Sequence, residues 1–111
     1  MPQIDLRQVT LKESTVKVDG GDVTVRQLRA DDLIAIQASY EHLSGEQADN
    51  KLALDMYVSL VCKSVVDAKG ERYLDTEGGE DTARSLPWEV LVTIATEVMQ
   101  LNGMLGEAKK N

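Results

Sequence analysis

Two side chains could do nucleophilic or acid–base chemistry by type: His42 and Cys62, the only histidine and the only cysteine of the chain. A thiol nucleophile needs a neighbouring base, and that base needs an orienting partner. The two residues lie far apart in sequence, so nothing pairs them. His42 falls on the polar side of a helical stretch, between Tyr40 and Leu43, where a solvated histidine is ordinary. Cys62 belongs to the apolar run Leu60-Val61-Cys62, where it reads as a small hydrophobe. A single cysteine also excludes an intrachain disulfide. Metal chemistry fares no better. CxxC and HExxH are absent, which removes the common zinc patterns. Asp75-Thr76-Glu77-Gly78-Gly79-Glu80-Asp81 offers carboxylates, but its glycines break the alternate spacing of an EF-hand loop, and a solvated loop is expected. Gly20-Gly21 and Gly78-Gly79 lack the lysine of a phosphate-binding loop. Ser59-Leu60 lacks the preceding Asp of a carrier protein. No catalytic, cofactor-binding or metal-binding residue is expected, and the chain reads as non-enzymatic, with no cofactor.

The elements around these residues follow from periodicity. Val16 and Val18, then Val23 and Val25, alternate with polar residues on either side of Asp19-Gly20-Gly21-Asp22, which predicts a β-hairpin near 15–27. Asp31 and Asp32 suit a helix N-terminus, and Leu33, Ile36, Tyr40 and Leu43 form one face of a helix over 31–43. Ser44-Gly45-Glu46-Gln47 matches a capping box that starts a second helix, over 45–65, with Ala48, Leu52, Met56, Leu60 and Val61 inward. Asp67-Ala68-Lys69-Gly70 predicts a type I turn within 65–75, with a small second hairpin as an option. A short helix is expected near 80–85. Pro87 suits the first position of a last helix over 87–105, whose stripe is Leu91, Ile94, Val98, Leu101 and Leu105. The fold class is α+β and predominantly helical: one domain over 15–106, an arm over 1–14 and a flexible polar tail over 107–111.

Apolar residues make up 42% of the chain, enough for a core and too many for wholesale disorder. Aromatics are only 4%, with no Phe, so the core must be aliphatic. The net charge of −7 repels phosphate backbones and anionic lipid, which argues against nucleic-acid and membrane partners. No run is long and apolar enough to span a bilayer, and the N-terminus lacks the pattern of a secretion signal. A cytoplasmic protein is expected.

What remains is surplus aliphatic surface. Val90, Val92, Met99 and Met104 lie off the stripe of the last helix. Such a helix is either central or partner-binding. Methionine suits surfaces that accept varied partners, but it also fills core gaps, and that bland role is favoured for Met99 and Met104. Trp88 can anchor a core or an interface. The candidate protein-binding residues are Trp88, Val92, Met99, Met104 and Leu105.

Val23-Thr24-Val25-Arg26-Gln27-Leu28 before an acidic helix start resembles the opening of tail assembly chaperones of long-tailed bacteriophages. Val66-Asp67-Ala68-Lys69-Gly70-Glu71-Arg72-Tyr73-Leu74 is similar to their turn leading to a basic and an aromatic residue. Leu86-Pro87-Trp88 and Leu101-Asn102-Gly103-Met104 complete the likeness, which spans roughly residue 15 to the end. The family has no catalytic or metal motif. The resemblance implies a protein that binds the tape measure protein in the infected host's cytoplasm, helps recruit tail tube subunits and is absent from the finished virion. Self-association is a further option. A rival class is an acidic inhibitor or DNA mimic on a basic enzyme surface; a small enzyme is a second rival.

The resemblance also implies a longer form made by programmed frameshifting. Lys109-Lys110-Asn111 can be encoded with the slippery run A-AAA-AAC. The expected outcome is a second, longer product with the same N-terminus, seen by blotting an N-terminally tagged gene. Recoding Lys110 as AAG should abolish it; a native gene that already reads AAG there refutes this slip site.

Overall fold

The computed structural model describes residues 3–40 and 50–104. His42, Leu43, the Ser44–Gln47 capping box, Ala48, Leu105 and the 107–111 tail lie outside them. The described residues form an α+β fold, mostly helical, with a three-stranded antiparallel sheet in the order β1-β2-β3.

The valine alternation builds the expected hairpin. Strand β1 covers Glu13–Val18 and β2 covers Gly21–Arg26, with Val16 opposite Val23. Val16 and Val25 point into the core. The turn is tighter than the sequence implied: only Asp19 and Gly20 are outside the ladder, and Gly21 and Asp22 belong to β2. Gly20 makes this work at φ +98°, a region costly for residues with a Cβ. The arm is shorter than expected, because the strand begins at Glu13. Before it, a single 3-10 turn, Leu6–Gln8, is capped by the Asp5 carboxylate, which accepts from the Arg7 amide at 3.0 Å.

Helix α1 covers Ala30–Tyr40, with Asp31 and Asp32 in its first turn as its polarity favours. Ile36 is buried and Leu33 packs against the core. Helix α2 covers Asn50–Ser64 and buries Leu60 and Val61 completely. It stops one residue earlier than the periodicity suggested. Val65 and Val66 leave the helix and form β3, pairing with Val25 and Thr24 on the open edge of β2. Two β-branched residues fit a pleated edge better than a helix end.

The turn at 67–70 is present. The Gly70 amide donates to the Asp67 carbonyl at 2.9 Å, and the Asp67 carboxylate accepts from the amides of Lys69 and Glu71. The second hairpin shrinks to one bridge, Val66 to Arg72, because β3 spends its other edge on β2. Arg72 then ties three segments. Its guanidinium holds Asp32 of α1 at 2.8 Å and Asp75 at 3.2 Å. Lys63 also reaches Asp75, and its hydrogen bond holds that carboxyl below its usual range.

The acidic stretch is not a loop throughout. Helix α3 covers Glu77–Arg84, starting earlier than expected and including both Gly78 and Gly79. Gly79 is buried against the Leu74 backbone, and a Cβ there would overlap the Leu74 carbonyl. Helix α4 covers Trp88–Leu101. Pro87 sits just before its first turn rather than within it, its carbonyl accepting from Val90 and Leu91 at 3.0 Å. Leu91, Ile94 and Val98 are buried and Leu101 packs half-buried against the core, so these four residues of the stripe form the core face; the helix ends at Leu101, short of the expected 105. At the far end Gly103 takes φ +69°, its amide donates to the Gln100 carbonyl, and the Met104 amide donates to the Met99 carbonyl. That bond pair is a Schellman cap. Asn102 closes the end further: its side-chain amide donates to the Val98 carbonyl and its oxygen accepts from the Leu28 amide.

Gly79→Ala should force α3 away from Leu74. Overpacking of this kind costs about 1–3 kcal/mol. Denaturant titration should show that loss, whereas Gly78→Ala, with open space at its Cβ, should be neutral or mildly stabilising.

Candidate polypeptide-binding groove

The sequence singled out the off-stripe side of α4, and the fold distributes those residues between two settings. Met99 and Met104 are half-buried and pack against the core at the Schellman cap, so they fill space there. Trp88 is 56% exposed and Val92 half-buried. Leu105 lies outside the described residues. Trp88 leans on Tyr57 of α2, ring centres 5.7 Å apart and tilted by 45°. Such a pair holds Trp88 in place and leaves much of the indole open to a partner.

The larger concave apolar surface lies on the other side of the Leu86-Pro87 corner. A cavity of about 300 Å³ opens between the hairpin, the Tyr73-Leu74 segment and the start of α4. The strands contribute Val18 and Val23, α2 and β3 contribute Val61 and Val65, and the α3–α4 corner contributes Leu86, Pro87, Val90 and Ile94. Tyr73 stands at the edge, 52% exposed. Val18, Val23, Leu86 and Val90 pack against the core while remaining partly accessible. Two shallower depressions extend it. One shares Val18, Asp19, Glu89 and Val90 and runs toward Lys17 and Thr93. The other shares Val23 and Tyr73 and runs toward Asp22, Asp67 and Ala68. The result is a groove with an aliphatic floor and a mainly acidic rim holding Asp19, Asp22, Asp67 and Glu89, with Lys17 beside the first and last of them.

Local sequence explains each wall. The Asp19-Gly20 turn brings Val18 and Asp19 to the lip. Pro87 redirects the chain after α3 so that Glu89 and Val90 open α4 beside the hairpin. Arg72, clamped by Asp32 and Asp75, fixes the backbone immediately before Tyr73. Sequence reading quoted Tyr73 and Leu86-Pro87 as motif residues but did not place them in a site. Burial periodicity ranks residues within one element; it cannot say that Val18, Tyr73 and Val90 share a wall.

The reactive groups are set for packing. Cys62 is buried, and burial, followed by the charges of Glu80 and Asp75, pushes its thiol up to about 11. It stays protonated and is not an activated nucleophile. The Ser64 hydroxyl is fully buried with no hydrogen-bonded base. Among the described residues no three His, Cys, Asp or Glu side chains are grouped to hold a metal ion. No helix of the described residues is long and apolar enough to cross a membrane.

Comparison of the chain with protein-family models, curated proteins and solved structures yields no match.

The thiol gives a direct check on core integrity near the groove floor. In native buffer at pH 8, Cys62 should react with iodoacetamide at least ~100-fold more slowly than a free cysteine, given its raised pKa and lost access. In denaturing urea it should react at the ordinary rate. Fast native alkylation would contradict the buried setting.

Proposed function

We propose that this chain is a bacteriophage tail assembly chaperone of non-enzymatic type, whose groove takes an amphipathic helical segment of the tape measure protein. The supporting observation is the groove itself: an aliphatic floor bordered by Asp19 and Glu89, with Asp22, Asp67 and Lys17 in the depressions that extend it. A floor of this chemistry accepts a row of apolar side chains at helical spacing, and a carboxylate rim favours lysine and arginine flanking that row. Tyr73 and Trp88 supply exposed aromatic anchors on the two sides of the α3–α4 corner. A net charge of −7 would keep a complex with an apolar client dispersed.

The proposal includes the resemblance drawn from Val23–Leu28, Val66–Leu74, Leu86–Trp88 and Leu101–Met104. Three of those stretches contribute to the groove or its support: Val23, Tyr73, Leu86 and Pro87 line it. In the assembly reading many copies bind along one long client, each contact modest, so that tail tube subunits can replace them. The rim charge also fits the alternative of an acidic inhibitor or DNA mimic. The aliphatic floor favours a polypeptide, because a phosphate mimic gains nothing from partly accessible valine and leucine.

The test is binding of the full chain to tape measure fragments from the same genome, measured by calorimetry and by soluble yield on co-expression. Tyr73→Ala should cost about 2 kcal/mol, roughly thirtyfold in Kd. Asp19→Lys with Glu89→Lys should weaken binding and reduce its salt dependence, while Thr15→Ala on the exposed strand side should change nothing. No affinity for any such fragment, or affinity indifferent to all groove substitutions, defeats the proposal.

A further inference from the structure

The segment before β1 carries exposed apolar side chains. Ile4 is 68% exposed, Leu6 80% and Val9 57%. Single exposed aliphatic residues are ordinary on a protein surface, but three within a span of six residues form a patch that calls for a partner. The same segment differs in charge from the rest of the chain. It carries Arg7 and, at its root, Lys12 against one carboxylate, Asp5, in a protein of net charge −7.

Within residues 4–9 Arg7 is balanced by Asp5, so the match to the groove is chiefly apolar, with one cation to place. The groove presents valine and leucine side chains to a row of apolar residues, and Asp19 and Glu89 to a cation. The arm is rooted at the wrong end of the hairpin to use the groove of its own chain easily. It leaves β1 at Glu13, and its last residues stay there: the Gln27 amide donates to the Lys12 carbonyl at 2.7 Å, and Thr10 and Leu11 lie beside Arg26. The groove opens at the opposite end, beside Val18 and Asp19. A six-residue strand separates the two by roughly 20 Å.

We propose that residues 4–9 of one copy lie in the groove of a second copy, reciprocally, so that two chains exchange their arms about a two-fold axis. Ile4, Leu6 and Val9 meet the aliphatic floor, and Arg7 leaves its local partner Asp5 for the Asp19–Glu89 rim. The contact is small, so it forms at micromolar concentrations or above and a client helix can displace it. The exchange rests on the groove described above, while only its displacement rests on the proposed client.

Sedimentation velocity of the full chain, from about 1 µM to about 1 mM, tests the exchange without any client present. The expected result is a concentration-dependent dimer. Leu6→Glu should raise its dissociation constant at least ~10-fold, as an apolar anchor lost from an interface does, and Asp19→Lys with Glu89→Lys should weaken it as well. Thr15→Ala should leave it intact. A peptide of residues 3–12, added to the full-length Leu6→Glu chain, should shift the amide resonances of Val18, Val23, Tyr73 and Val90. A monomer throughout the range, a dimer that ignores Leu6→Glu, or peptide shifts confined to other residues overturns the exchange. None of those results touches client binding, and absence of client binding leaves a Leu6-dependent dimer standing.

Discussion

Val25 and Val65 face each other across β2 and β3, and both are inaccessible to water. That pairing makes the hairpin and the helices one body. A two-stranded ribbon is marginal alone, because it has neither a third strand nor a surface to bury its apolar side against. Here α2 runs directly into β3 with no connecting loop. The most buried stretch of the helix, Leu60 to Ser64, is therefore continuous with the residues that close the sheet edge. Helices α2 and α4 both pack against β2, and loss of Val25 or Val65 would open the sheet and the helical core together.

Everything after β3 hangs from the same junction. The Asp67 turn reverses the chain within a few residues, so Arg72 returns beside Val66 and within reach of Asp32 and Asp75. Those ion pairs are half-shielded from water, which makes them better fasteners than fully exposed pairs such as Arg7–Asp5. Leu74 then enters the core, and α3 can begin only where Gly79 allows the backbone to touch it. Tyr73, caught between Arg72 and Leu74, is held at the surface because both of its neighbours are committed elsewhere. An exposed aromatic at the edge of an apolar floor results from that geometry.

Helix α4 serves two surfaces at once. Its core face supplies Leu91, Ile94, Ala95 and Val98, while Glu89 and Val90 border the groove and Trp88 faces Tyr57. The helix is fixed at both ends, by the Pro87 carbonyl at its start and by the Gly103 cap and Asn102 bonds at its end. The Ser14 hydroxyl, donating to Glu97 at 2.6 Å, adds a tie from β1 to its middle. The part of the groove wall that α4 supplies is thus tied to the core along the length of the helix.

The amino-acid sequence by itself determined the local elements, apart from their exact ends: the hairpin through valine alternation around Asp19-Gly20-Gly21-Asp22, the helix starts near Asp31-Asp32 and Pro87, the Asp67 turn, and the inward positions of Leu91, Ile94 and Val98. It also determined the acidity and the aliphatic character of the core. Tertiary structure alone decided where Val65 and Val66 went. A helical stripe and a strand edge both welcome valine, and only the vacancy beside β2 selects the strand. It likewise decided that Gly78 and Gly79 lie in a helix, since close approach to Leu74 is a long-range fact with no signature in residue order. The groove was the least legible part. Its floor joins residues from the hairpin, α2, β3 and α4, and its shape depends on which partly apolar side chains the fold leaves uncovered, a balance set by packing between elements rather than by any one of them.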